Sequence, residues 1–540
     1  MNGEAARHHE TTERPNARSE VLLVSVYELG HQPFALASAW AALEHAGHRV
    51  SAIDVSLDAL EPALVERADV VAVSVPMHTA LRLGRGLIER VRRLNPRAHL
   101  CLFGLYAWMH ARDLLLAAAD SVIGGEFEPA LVELAGRVAR GERVADWAAI
   151  AGVTTAESLR KSAGLVAPPE LSKVSFAAPV RQGLPPLERY AKLVGPRPGE
   201  TRVAGYVEAS RGCRYRCRHC PVVPVYDGRF FVVPESIVLS DVDQQVRAGA
   251  SHITFGDPDF LNGPGHALGI ARALHRAHPD VSFDITTKIE HVLAHRQLFS
   301  ELRELGCVFM LSAVESLSDR VLAELDKGHT KRDVLEALEI SRSAGLPLRP
   351  SLVPFTPWTT LEDYEKLVDF VFEQGLVEAV EPIQFAIRLL VPRGSALLWP
   401  RSGARRPAGS ASRQALVTEQ PDWLGAYDAG DLGYGWQHPD PRMDALYRAV
   451  SAEVERSTQQ APANREVISR IRDLAYGAAG RAPPPLAERW PSAFVPRLTE
   501  AWFCCAEPSA AQLSHAGGSL RVQADSDLRA SSGGTCVRRC

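Results

Sequence analysis

Alternation of short apolar runs with helical ones, repeated in two long blocks, constrains this chain more than any other feature. In the first block, residues 21–26, 48–55, 69–75, 98–103 and 121–124 read as strands, and 33–46 and 81–94 as helices between them. The run 69–75 is nearly continuous in apolar residues, as a parallel strand covered on both faces must be. Helix stops stand at Gly47 and at Asn95-Pro96. Such alternation folds into a doubly wound, Rossmann-like parallel sheet. No G-x-G-x-x-G follows the first strand, so a dinucleotide is not the expected ligand.

The second block runs from 203 to about 393. Strands are expected at 203–209, 251–255, 281–287, 307–312, 347–354 and 379–387, with helical segments such as 235–248, 330–344 and 360–372 between them. Six βα units predict a partial (β/α)6 barrel, whose functional rim lies at the C-terminal ends of its strands. The α/β organisation is therefore a tail (1–18), a doubly wound domain (19–141), a proline-rich connector (142–200), the barrel (201–395), a mostly helical C-terminal region (396–500) and a Ser/Gly-rich final stretch (501–540). Within the C-terminal region, 401–413 reads as a flexible Arg/Ser/Ala/Gly loop and 443–475 as helices.

Composition narrows the function classes. A net charge of −4 over 540 residues gives nucleic acid no electrostatic footprint to bind. No run of 18 or more apolar residues is available to span a membrane, and the polar start lacks the apolar core of a signal peptide, so the cytoplasm is the expected compartment. Nine cysteines in such a chain are no disulfide framework.

Three of those cysteines stand together. Cys213, Cys217 and Cys220, spaced C-x3-C-x2-C, directly follow the first barrel strand, which places them on one loop at the barrel rim. Three thiolates there suit three corners of a [4Fe-4S] cluster and leave one iron open for a ligand. A structural zinc ion would want four ligands, often from two separated pairs, and no second pair is near. The arginines at 214, 216 and 218 make a merely packed core implausible.

The triplet, His219 before its last cysteine and the preceding strand resemble the radical SAM superfamily. The resemblance implies a [4Fe-4S] cluster whose open iron binds S-adenosylmethionine (SAM), reductive cleavage of SAM to a 5′-deoxyadenosyl radical, and an electron donor such as flavodoxin or ferredoxin. It also implies that His219 lies near the adenine. Further rim residues fit: Gly256, Asp257 and Asp259 in the turn after the second strand toward the SAM ammonium, Lys288 after the third toward its carboxylate, and Glu315 and Ser316 after the fourth toward the ribose and methionine. Each also has a bland reading as a polar turn or a solvated rim charge. Asp326-Lys327-Gly328-His329-Thr330 matches the family's K-G-x-T segment.

The first block, through 34–54, 69–76 and Gly124-Gly125-Glu126-Phe127-Glu128, resembles the cobalamin-binding domain that precedes many radical SAM barrels. It departs from the D-x-H-x-x-G motif: His31 is present, but Leu29 holds the aspartate position. Two readings stay open, cobalamin held without that histidine, or a domain that only packs on the barrel or recognises substrate. Near the C-terminus, Cys504-Cys505-Ala506-Glu507-Pro508 resembles the tail of the CUAEP/CCAEP radical SAM family, which implies chemistry at Cys504 and Cys505. The leading expectation is a radical SAM enzyme acting on a small molecule or peptide, with methyl transfer if cobalamin binds. The competing one is a non-catalytic iron–sulfur redox sensor with Cys504-Cys505 as a thiol switch.

Overall fold

The computed structural model describes residues 18–500, apart from 145, 146, 148, 173, 174, 198, 401–420 and 461. Strands β1 (Glu20–Ser25), β2 (Arg49–Asp54), β3 (Val70–Ser74), β4 (His99–Phe103), β5 (Ser121–Ile123) and β6 (Val153–Thr155) form one sheet in the order β2-β1-β3-β4-β5-β6. All neighbours are parallel except β5–β6. Alternation within the strands decides which side each residue packs on. Val21, Leu23, Val70 and Ala72 join Leu36, Leu43, Leu131 and Leu134 of helices Phe34–His45 and Glu128–Ala139. Leu22, Val24, Val71 and Val73 face the opposite way, toward Leu87, Ile88 and Val91 of helix His78–Leu94. A sheet apolar on both faces has to be covered on both, and the expected doubly wound domain results.

The second sheet is a curled half-barrel. It is built from β7 (Lys192–Val194), β8 (Thr201–Val207), β11 (His252–Phe255), β12 (Ser282–Thr287), β13 (Cys307–Glu315), β14 (Leu348–Leu352) and β17 (Arg497–Leu498), in the order β14-β13-β12-β11-β8-β7-β17. The five strands from β8 to β14 are parallel, and β7 and β17 extend the edge antiparallel. After β8 the chain forms β9 (Ser210–Gly212), which pairs antiparallel with β10 (Phe230–Val232) and brackets the cysteine loop.

Three expectations need correction. The sixth barrel strand does not form: Pro382–Ala386 is a 3₁₀ turn, and only the isolated bridge Phe355–Arg388 remains of the expected pairing. Proline at 382 removes a ladder donor, and Gln384 meets β14 with its side chain, its Oε1 accepting from the Leu352 amide at 2.9 Å. The connector is not only a link, since it supplies β6 to the first sheet and β7 to the second. The C-terminal region contains the expected helices, Pro441–Gln460 and Asn464–Ala478, and also a hairpin of β15 (Leu424–Asp428) and β16 (Gly433–Trp436). The flexible loop expected at 401–413 and the segment with Cys504 and Cys505 lie outside the described residues.

Candidate active site

The C-terminal strand ends of both sheets face a single cavity of about 390 Å³. Cys213, Cys217 and Cys220 all line it, and among the described residues none of them is joined in a disulfide. Burial pushes the Cys213 thiol up to about 12. It also raises that of Cys217, against the opposing pull of Lys327 and Lys288. Left alone, these sulfurs stay protonated; as thiolates they need a cation to neutralise them. The Lys288 ammonium stands 3.4 Å from Cys217 Sγ. Among the described residues no three or more His, Cys, Asp or Glu side chains converge on one ion. A cubane cluster asks for something else, one thiolate on each of three irons. The donor set therefore fits a three-cysteine cluster. Arg218, between the cysteines, is structural: its guanidinium donates to the carbonyls of Leu397 at 3.0 Å and Trp399 at 2.9 Å.

Behind the cysteines lies a buried chain of charges. His219 Nε2 meets Glu315 Oε1 at 3.3 Å, and Lys327 Nζ reaches the same oxygen at 3.2 Å. Lys288 donates to the Lys327 carbonyl at 2.8 Å, pairs with Glu290 at 2.7 Å and sits 3.8 Å over the ring of Tyr215. Burial works to raise the Glu315 carboxyl, but Lys327 and His219 hold it down at about 2. Burial lowers the His219 imidazole against the opposing pull of Glu315, and this lowering favours the neutral ring. Its Nδ1 has no hydrogen-bond partner among the described residues although the residue is buried and lines the cavity, which leaves one polar atom for a ligand. Glu315 also holds a left-handed backbone, φ 64°. In a residue that is not glycine this costs about 1–3 kcal/mol and persists where the surroundings over-determine it. Here Val353 anchors it, its amide donating to the Glu315 carbonyl at 2.8 Å.

The remaining rim residues divide. Gly256 and Asp257 line the cavity. Burial pushes the Asp257 carboxyl up to about 7, against hydrogen bonds from Ser210 Oγ at 2.5 Å and the Ala209 amide at 3.0 Å. Asp259 does not line it. Its carboxylate accepts from the Leu261 amide and Thr287 Oγ1 and meets His291 Nδ1 at 2.9 Å. Ser316 turns its hydroxyl to the Ser318 amide at 3.1 Å. Both brace the rim. Sequence reasoning gave Lys327 no role; its signal was scarcity, one of seven lysines, inside the K-G-x-T match.

The opposite wall comes from the first sheet. Leu29, Phe34, Met77, Phe103, Leu105, Tyr106 and Phe127 make it largely apolar. Its polar members include Glu28, whose carboxyl burial and Asp54 push up to about 8 and which accepts from Ser74 Oγ at 3.1 Å. His31 packs on Tyr206 of β8, ring centroids 4.6 Å apart, and burial lowers its imidazole to about 4. An apolar floor at the strand ends fits a large flat cofactor. The departure at Leu29 and the packing of His31 speak against this histidine as its metal ligand. The wall is completed by Leu498 and by Glu500, which accepts a hydrogen bond from Tyr27 across the two sheets.

The comparisons agree with this geometry. Residues 20–135 match the B12 binding domain and 207–371 match the Radical SAM superfamily. A Methanocaldococcus jannaschii protein named as a methylthiotransferase is 25% identical over 295 residues, half of this chain and 62% of its own length. The hopanoid C-3 methylase of Methylococcus capsulatus is 22% identical over 369 residues, 67% of each chain. Among solved structures, TsrM from Kitasatospora setae with cobalamin and a [4Fe-4S] cluster bound aligns with TM-score 0.58 at 18% identity, over 81% of this chain and 89% of TsrM. OxsB, a cobalamin-dependent SAM radical enzyme, aligns with TM-score 0.61 at 14% identity, over 97% and 82%. At such identities the structural likeness speaks for the fold. No helix among the described residues is long and apolar enough to cross a membrane.

Proposed function

Because this chain is a radical SAM superfamily enzyme carrying a B12-binding domain in front of its barrel, we propose that it is a cobalamin-dependent methyltransferase acting on a small molecule or peptide. The observation that carries the reading is the shared cavity: the three cysteines, His219 and Glu315 line one side, and the strand ends of the B12-binding domain line the other. When bound, the cluster and SAM supply a 5′-deoxyadenosyl radical, and cobalamin supplies a methyl carrier.

The chain's own residues do the rest. Cys213, Cys217 and Cys220 hold the cluster, and Lys288 and Lys327 offset its negative charge. His219, fixed through Nε2 by Glu315, offers Nδ1 to the adenine. Asp257 faces the SAM ammonium, and Gly256 beside it makes room for the Tyr206 ring, which any side chain there would strike. Apolar residues on both walls exclude water from a reactive carbon centre. For Cys504 and Cys505 we propose thiol contact with the substrate. Glu500, four residues before Cys504, lines the cavity, and four extended residues span about 14 Å.

The test uses anaerobically reconstituted full-length protein with cobalamin, dithionite and SAM. The wild type is expected to yield 5′-deoxyadenosine or S-adenosylhomocysteine and to show a cobalamin absorption band, with no product from Cys217→Ala. Cys504→Ala and Cys505→Ala are expected to keep full iron content. A wild type that holds four irons per chain, binds SAM and forms neither product refutes the reading.

A further inference from the structure

Arg211 stands two residues before Cys213 and points away from the cysteines, into the other domain. Its side chain is 8% exposed and meets Glu126 Oε2 at 2.8 Å, Glu128 Oε1 at 2.8 Å and, in the link between β8 and β9, Glu208 Oε2 at 3.0 Å. Nη2 also donates to Ser38 Oγ at 3.1 Å, and Ser38 donates in turn to Glu128 at 2.6 Å. Tyr226, in the helix that follows the cysteine loop, donates to the other oxygen of Glu126 at 2.8 Å. Three aromatic rings, Phe34, Phe127 and Phe176, surround the guanidinium at 5.2–5.6 Å.

A surface tether between domains would not need this. Desolvating one cation and three carboxylates costs several kcal/mol per buried ion, so a buried cluster is a poor way to add stability but a sharp way to fix a geometry. Where it sits suggests what it fixes. Gly125 and Phe127, on either side of Glu126, line the cavity, and so do Gly212 and Cys213, directly after Arg211. Arg211 itself also lines the cavity, Glu126 stands one residue from the wall that would carry cobalamin, and Arg211 stands two residues from the first cluster ligand. Gly212 has φ 77°, and a β-carbon there would come within 2.5 Å of the Arg229 carbonyl. The link from Arg211 to Cys213 is therefore short and locked.

We infer that Arg211 is a positioning residue that couples the two cofactor sites: through Glu126 and Glu128 it sets the cysteine loop according to what occupies the B12-binding wall. The inference rests on the proposed reading that cobalamin occupies that wall. Coupling of this kind is reciprocal, so it is legible before any cluster is assembled. In full-length apo protein, the rates of alkylation of Cys213, Cys217 and Cys220 by iodoacetamide are followed by peptide mass spectrometry, with and without hydroxocobalamin. In the wild type cobalamin is expected to change these rates at least fivefold, the lower end of ordinary coupling.

Arg211→Met is expected to remove the change while still binding cobalamin, and Arg211→Lys, which keeps the charge but not the fork, to restore part of it. Glu126→Gln breaks the same link from the other domain and should act like Arg211→Met if that protein fails to fold. The coupling is overturned if a folded, cobalamin-binding Arg211→Met or Glu126→Gln protein shows the wild-type rate change, since the cofactor would then be shielding the thiols directly. It is equally overturned if the wild type binds cobalamin and its rates do not respond. A wild type that binds no cobalamin by spectral titration overturns the reading beneath it as well.

Discussion

Replacing Lys327 with methionine isolates the most deeply buried ion pair beside the cysteines. Its ammonium is 2% exposed and lies 3.2 Å from Glu315. At that distance, with an effective dielectric constant near 20, the attraction is about 5 kcal/mol before desolvation. Removing the lysine leaves Glu315 buried with only a neutral imidazole beside it, and breaking a buried pair from one side costs about 3–5 kcal/mol. The same change removes the larger of the two influences that hold the Glu315 carboxyl at about 2, leaving the His219 hydrogen bond against burial, so the carboxyl rises. A carboxyl raised in the folded state above its unfolded value stabilises most at low pH. Lys327→Met should therefore lower the urea midpoint of the anaerobic apo protein strongly at pH 7.5 and less at pH 5. Adding Glu315→Gln removes the stranded charge, and the double variant should recover at least about 2 kcal/mol relative to the sum of the singles. A single-variant loss below about 1 kcal/mol, or simple additivity, would show that Lys327 and Glu315 do not act as a pair.

Two further outcomes follow from the cavity walls. At Gly256 an added β-carbon would lie 2.0 Å from the Tyr206 ring and hydroxyl, so Gly256→Ala must displace Tyr206 from His31; the expected cost is about 1–3 kcal/mol in unfolding free energy with weakened cobalamin binding, and an unchanged cobalamin titration would contradict the shared wall. Glu28, with its carboxyl pushed up to about 8, is protonated in the folded chain at pH values where the unfolded chain has lost that proton, so stability declines as pH rises from about 4.5 to about 8, by up to about 1.4 kcal/mol per pH unit. Glu28→Gln should flatten that part of the thermal-stability profile, and parallel wild-type and variant profiles would show that the carboxyl is already ionised.

The parts of the site visible in the sequence are those that local spacing dictates. Cys213, Cys217 and Cys220 could be placed at the rim because they follow a strand directly, and a loop after a barrel strand has nowhere else to go. The parallel strands were legible because burial on both faces leaves continuous apolar runs. The sixth strand was misread for the same reason: 379–387 is apolar, but Gln384 satisfies β14 with an amide side chain, which hydrophobic pattern cannot register. The hairpin of β15 and β16 alternates too weakly to stand out, although its Asp428-Ala429-Gly430-Asp431 turn was written plainly. The pairings of Arg211 with Glu126, His31 with Tyr206 and Tyr27 with Glu500 join residues from 85 to 473 positions apart, and no local rule connects them. Asp257 and Asp259 look alike in sequence; only the fold sends one to the cavity and the other to His291.

The pairing of β17 with β7 has a consequence for how the protein is made. Arg497 and Leu498 complete the barrel edge against Val194 and Leu193, and Glu500 then reaches Tyr27 of the first domain. About 280 residues separate Cys220 from that closing strand, which at ordinary elongation rates is on the order of tens of seconds of synthesis. Through that interval the growing chain has its three cluster cysteines but lacks Leu498 and Glu500, which complete one wall of the chamber around them. Iron and sulfide delivery to this protein thus has an open season set by the ribosome, and a C-terminal deletion ending before residue 497 would prolong it indefinitely.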